Sequence, residues 1–174
     1  FHCADSGETR SISGGLFENV PTGQMLVVIN THFPFKSLKD REMVLERVIR
    51  LAKGYQAYPI IITADMNAFP NRPEINALPF YDGDWMVNRF YNQGFRDARL
   101  RALLGHFGPI ATYTNDPVCE GRVRPFVSQG EPGVILDYIL VNRRVKVLSH
   151  AIDPGKVNEE YPSDHLPVIA DVIL

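Results

Sequence analysis

Cysteine is scarce in this chain of 174 residues: there are two, Cys3 and Cys119, far apart, with no second Cys or His at zinc-finger spacing. A disulfide-dense scaffold and a structural zinc finger are thereby excluded, while a single Cys3–Cys119 bridge stays open and the redox compartment stays undetermined. No apolar run approaches the roughly 20 residues that span a bilayer, so no membrane segment is expected. An excess of charge is also missing. The 18 Lys and Arg against 20 Asp and Glu leave a net −2, which argues against a protein that grips nucleic acid through its overall charge and leaves room only for a local basic patch. Repeats, low-complexity tracts and linkers are absent. The opening "FHCADSGETR" has no basic start, apolar stretch or small-residue cleavage site and does not begin with Met, as expected of a mature or trimmed chain.

What is present is the composition of a globular protein, 45% hydrophobic and 22% charged, at a length suited to one domain over residues 1–174. "QMLVVINTHF" is a Val- and Ile-rich run bounded by "PTG" and Pro34, and predicts a buried strand. "SLKDREMVLERVIRLAKGYQAYP" then changes period. Val44, Val48, Leu51 and Ala52 fall on one helical face with Leu45 and Ile49 alongside, Ser37 is placed to cap the start with Asp40 three residues on, and Gly54 and Pro59 bracket the end. "PIIITADMNAFPNRPE" is a second apolar strand running into a polar turn, which completes a strand, helix, strand unit of mixed α/β proteins. Further on, "RPEINALP" and "FRDARLRALLG" read as short helices, "ATYTND" as a strand end and "VRPFVSQGEPG" as a loop. "VILDYILVN" reads as a strand with Asp137 in its middle, and "RVKVLSHAI" and "PVIADVIL" as the last two strands.

Polar marks sit at strand ends or inside apolar strands: Asn30-Thr31-His32, Asp65-Met66-Asn67, Asp137, and Ser163-Asp164-His165. Each has an ordinary structural explanation. Asp65 and Asn67 suit an Asx turn, Ser163 and Asp164 a capping or turn pair, and His32 an imidazole bonded to a backbone carbonyl. Asp137 is harder to explain in that way, because a carboxylate facing a core is costly unless it meets a partner. Together the marks supply two His, three Asp and two Asn. Such an oxygen-rich set suits Mg²⁺ or Mn²⁺ better than zinc and suits phosphate-ester hydrolysis, in which a carboxylate activates water and a carboxylate-held His stabilises charge on phosphorus. A two-zinc hydrolase is disfavoured, since no His-x-His or Cys-rich cluster occurs.

In this order and at these intervals, "INTHF", "ITADMNAFP", "ILDYILVN" and "YPSDHLPVIADV" resemble the C-terminal part of the endonuclease/exonuclease/phosphatase superfamily, the deoxyribonuclease I-like proteins, over about Gly14 to Leu174. The resemblance implies an α/β (α+β) fold, part of a four-layer α/β/β/α sandwich with mixed β-sheets whose N-terminal portion is missing. It implies a Mg- or Mn-dependent phosphoester hydrolase acting on nucleic acid, phospholipid or a small phosphate ester. In that reading Asp65 orients or deprotonates the water, Asn67 helps to fix phosphate or nucleophile, and His32 contacts phosphate oxygens. His165 contacts the scissile phosphate with Asp137 holding its ring, and Asp164 sits at the metal. Ala64 and Met66 depart from the usual Gly-Asp-Phe-Asn while keeping size and apolarity roughly. The larger departure is upstream, where members carry a strand ending in Asn and a segment with a metal-binding Glu; Asp5, Glu8 and Glu18 do not resemble that motif. An incomplete sandwich exposes apolar sheet, so self-association or pairing with the missing portion is expected. The competing reading is a noncatalytic module that binds a phosphate ligand or a protein. Arg122 and Arg124 as phosphate contacts, and Trp85, Phe90 and Tyr91 as an aromatic lip, are weaker candidates, with solvated loop and core as the alternatives.

Overall fold

The computed structural model describes residues 1–68, 85–109, 111–113, 135–158 and 160–174. Ser37 starts helix α1 (Leu38–Lys53) as expected, its backbone extended and its hydroxyl accepting the Asp40 N–H at 3.1 Å. The helical period buries Val44, Leu45, Val48, Ile49 and Ala52. Leu51, expected on that face, lies at its margin, where a β-carbon on Gly14 would touch it at 3.4 Å. Seven residues past Val44, at about 100° each, place it about 20° outside Val44, at the edge of the stripe that runs through Val48, Ala52, Leu45 and Ile49. The Gly54 N–H closes the last turn on the Leu51 carbonyl.

The strands preceding and following this helix are β2 (Gln24–His32) and β3 (Ile60–Asp65), which pair in parallel. β1 (Ile12–Asn19) adds to the outer edge of β2 through a hairpin in which the Thr22 and Gly23 N–H groups both bond to the Asn19 carbonyl. Gly23 has φ of +68°, a conformation that side chains resist. β6 (Asp137–Val141) lies antiparallel to β3, and β4 (Arg96–Asp97) extends the sheet to the order β1-β2-β3-β6-β4. A second sheet has the order β5-β7-β8, formed by His106–Phe107, Lys146–Ile152 and Val168–Ile173, with one parallel and one antiparallel pairing.

Alternation along the strands then builds the layers. Ile29, Ile60, Ile62 and Leu140 face α1 and helix α2 (Trp85–Asn92), packing against Val44, Leu45, Met86 and Phe90. Ile61, Ile139 and Val141 face the second sheet and meet Val147, Val168, Ala170 and Val172. Each fully buried aliphatic side chain contributes about 1.5 to 3 kcal/mol. Helices, larger sheet and smaller sheet therefore stack as three layers of the mixed α/β sandwich. Among the described residues no helix is long and apolar enough to cross a membrane.

Two expected elements take a different form. "FRDARLRALLG" makes only the four-residue helix α3 (Ala98–Arg101), because Asp97 caps it through the Arg99 N–H and the chain past Ala102 bonds instead to β7, Leu103 N–H to Val147 O and Leu104 N–H to Leu148 O. β6 begins at Asp137 instead of carrying it in mid-strand. The Thr112 hydroxyl oxygen accepts the Leu136 and Asp137 N–H groups at 2.9 and 3.1 Å, which draws this strand start onto the 111–113 segment. The helix expected in "RPEINALP", the loop "VRPFVSQGEPG", Cys119, Arg122 and Arg124 lie outside the described residues; Cys3 is buried as a free thiol. Phe90 is core, Tyr91 is partly buried against that core, and Trp85 is partly exposed.

Candidate active site

Strand register brings the polar marks together. His32 pairs with Asp65 at the C-terminal ends of parallel β2 and β3, and Asp65 pairs with Asp137 at the N-terminal end of antiparallel β6. Three neighbouring strands thus present a polar side chain at the same end of one sheet. His165 arrives from outside the sheet: its residue bridges Tyr113, its ring lies tilted with its centroid 5.1 Å from that of the Tyr113 ring, and the Leu166 N–H bonds to Thr112 O at 2.7 Å. Buried Thr112 therefore links both halves of the arrangement, holding the start of β6 with its hydroxyl and the His165 segment with its carbonyl.

The Asx turn expected at Asp65 is present, and it divides the work of the carboxylate. Oδ1 accepts the Asn67 N–H at 2.9 Å, while Oδ2 lies 3.1 Å from His32 Nε2 and 3.9 Å from His165 Nε2. Asn67 has φ of +45°, which Asn tolerates better than most residues, and the turn is clamped by the buried Arg41 guanidinium donating to the Asn67 carbonyl. The Asn67 amide nitrogen donates to Phe33 O at 2.9 Å and lies 3.0 Å from His32 Nε2. In place of the expected backbone carbonyl, the His32 ring meets the side chains of Asp65, Asn67 and Arg10.

Asp137 Oδ2 accepts from His165 Nδ1 at 2.7 Å. That bond fixes which nitrogen faces Asp65 and, with its charge, raises the pKa of His165 against the opposing effect of burial. Burial raises the pKa of Asp65, and the Asp137 charge adds to the rise. Burial lowers the pKa of His32, with Asp65 opposing the fall and Arg10 adding to it. Ser163 and Asp164 form the expected turn: the Ser163 hydroxyl oxygen accepts the His165 N–H at 3.1 Å and lies 3.3 Å from Asp164 Oδ1.

Asp65, Asp137 and His165 offer ligand atoms within 4.8 Å of one another, the geometry of a small cation site. Its chemistry fits a hard divalent ion, because two carboxylates supply oxygens and their burial and mutual repulsion are costs that a cation offsets. Asp164, expected as the metal ligand, is not in this group; its carboxylate stands beside the site and acts on His165 and Tyr113 through its charge. His32, Asp65, Asn67, Asp137 and His165 are thus assembled in one place. Thr112, Tyr113, Glu8 and Arg10 join them without any local signal in the sequence, since each contact spans a long stretch of chain.

No protein-family model matches the chain, and no curated protein matches it. Solved structures do. A mannosyl-6-phosphatase of Bacteroides thetaiotaomicron VPI-5482 superposes with a TM-score of 0.67 at 22% identity, covering 98% of this chain and 59% of that one. An endonuclease/exonuclease/phosphatase protein of Bacteroides vulgatus gives 0.69 at 23%, covering 98% and 60%. The human Nocturnin catalytic domain, solved with a bound sulfate anion, gives 0.62 at 18%, covering 99% and 56%. The chain spans about 60% of the length of these structures.

Proposed function

We propose that this chain, whose fold is that of the endonuclease/exonuclease/phosphatase proteins, carries the site of a divalent-metal-dependent phosphoester hydrolase. The observation that supports this most is the alignment of His32, Asp65 and Asp137 at one sheet end with His165 held by Asp137 at 2.7 Å. Similarity to a phosphatase, and to a domain crystallised with a tetrahedral anion, agrees with a phosphate ester as ligand. Nucleic acid, phospholipid and small phosphate esters all offer that group.

Each residue then has a task set by its surroundings. Asp65 Oδ2 holds and deprotonates the attacking water, and burial makes this carboxylate a stronger base than an exposed one. His165, kept in one orientation by Asp137, presents Nε2 to a phosphate oxygen, and its raised pKa favours the charged imidazolium that stabilises the transition state. His32, 3.1 Å from Asp65 Oδ2, and the Asn67 amide beside it would contact further phosphate oxygens. Mg²⁺ or Mn²⁺, held by Asp65 and Asp137 with Asp164 nearby, would supply charge neutralisation of the phosphate and leaving oxygens.

The test is hydrolysis of bis-p-nitrophenyl phosphate and single-stranded DNA by the natural protein containing these residues, in Mg²⁺, Mn²⁺ or EDTA. Turnover should need the metal, and Asp65→Asn and His165→Gln should each lower kcat by about 10²- to 10⁴-fold with melting little changed. EDTA-resistant turnover, or variants as active as the parent, would overturn the proposal. A noncatalytic phosphate-binding module is the alternative reading, and phosphate binding without turnover would support it.

A further inference from the structure

The segment before β1 reaches the rim of the site. It closes on itself through Cys3 N–H to Glu8 O and Arg10 N–H to Phe1 O, at 2.7 and 3.0 Å. Acidic side chains then fasten it to the connection between β2 and α1. Asp5 accepts from the Ser37 hydroxyl at 2.5 Å, Asp40 from the Ser6 N–H at 2.7 Å, and Glu8 Oε2 from the Phe35 N–H at 3.1 Å. The other Glu8 oxygen pairs with the Arg10 guanidinium, and Arg10 Nη1 stands 3.4 Å from His32 Nδ1.

A guanidinium has donors and no acceptor, so favourable contact requires a bare Nδ1. The two neutral forms of His32 can be compared contact by contact. With the proton on Nε2, Nδ1 accepts from Arg10 and Nε2 donates to Asp65 Oδ2 at 3.1 Å; the Asn67 amide nitrogen, 3.0 Å from Nε2, is the one mismatch. With the proton on Nδ1, only the Asn67 contact is satisfied, while an N–H faces a guanidinium and a lone pair faces a carboxylate. Asn67 does not relieve the mismatch by flipping, because its amide nitrogen is committed to Phe33 O. Charge-assisted hydrogen bonds are about twice as strong as neutral ones, so two of them outweigh one neutral bond. At 3.4 Å the Arg10 contact is the longer, yet without it a single charge-assisted contact to Asp65 stands against the neutral Asn67 one, and the preference for this tautomer shrinks.

We propose that Arg10, held by Glu8, is a positioning residue that fixes His32 with Nδ1 bare and Nε2 protonated. If the hydrolase reading holds, on which this consequence rests, the face of His32 beside Asp65 then presents a donor to a phosphate oxygen.

The test reads the ring itself, by two-bond proton–nitrogen correlation on the ¹⁵N-labelled protein in mildly alkaline buffer without metal. Wild type should show His32 Nδ1 as a bare nitrogen and Nε2 as a protonated one. In Arg10→Met, which keeps the stem and removes the donors, the two nitrogen shifts should move toward each other as the tautomers mix. The His106 and His150 signals in the same spectra report an intact fold. Should Arg10→Met not fold, Glu8→Gln, which keeps an acceptor for Phe35, should give the same movement to a smaller extent. A protonated Nδ1 in wild type, or a folded variant with unmoved shifts, overturns the proposal. Loss of the hydrolase reading would leave this tautomer result standing, and the wrong tautomer would leave metal-dependent hydrolysis standing.

Discussion

Two histidines away from the site contribute to how the fold responds to acid. His106 and His150 are register partners on β5 and β7, their Nδ1 atoms 2.9 Å apart, and His106 Nε2 bonds to the Pro109 carbonyl at 2.8 Å. That carbonyl needs a proton on His106 Nε2, so His106 Nδ1 accepts and His150 Nδ1 donates. A proton added to the pair puts N–H against N–H. His150 is only 3% exposed, and burial, followed by the neighbouring His106 and Arg99, pushes its pKa down from 6.5 to about 4. The folded pKa lies below the unfolded one, so the unfolded chain binds this proton first. The stability contributed by a neutral His150 is therefore complete above about pH 6.5, declines as pH falls toward about 4, and loses nothing more below that. The gap corresponds to roughly 3 kcal/mol. Urea unfolding of wild type and His150→Gln across this range isolates it from the carboxylates that both share. With a slope of about 1 to 3 kcal/mol per molar urea, the midpoint difference between the two should change by roughly 1 to 3 M between pH 7 and 4, to the relative disadvantage of wild type in acid. Midpoints that fall in parallel would refute the reasoning.

Other consequences are as direct. Thr112→Val keeps shape but leaves the Leu136 and Asp137 N–H groups without their acceptor; unfolding free energy measured in urea should fall by about 2 kcal/mol or more. Phe107 and Ile169 flank Ala151 on one face of the smaller sheet, with Ile173 further along β8, at 55%, 47% and 48% exposure. Sedimentation of the isolated chain should show concentration-dependent association that Ile169→Lys with Ile173→Lys reduces, and a wild-type monomer at all concentrations would contradict this.

The parts of this architecture written in local pattern were legible in the sequence. α1 carries its own cap and period, and β2, β3, β7 and β8 carry their apolar runs, so these elements and the mixed α/β class follow from short windows. The polar marks were also visible because each interrupts or ends an apolar run. β1 was not visible, since "ISGGLFEN" has two glycines and exposed apolar residues where a half-buried strand would alternate. What sequence reasoning missed most is long-range. Thr112 serving two chain segments, His106 meeting His150, and Glu8 and Arg10 reaching His32 depend on pairings that no local spacing encodes. Asp164 was marked by adjacency to His165 in the sequence, whereas the meeting of Asp137 with Asp65 follows from strand register.

The central claim is that Asp65 and Asp137 hold a divalent cation beside His165, where a phosphate ester would react, and it does not depend on knowing the natural substrate. Titrating Mn²⁺ into the ¹⁵N-labelled protein and following paramagnetic broadening tests it most directly. The account predicts that signals of Asp65, Asp137 and His165 broaden first while those of His106 and His150 persist, that EDTA restores them, and that Asp65→Asn prevents the effect. Broadening that spares these three residues, or that Asp65→Asn leaves unchanged, would contradict it.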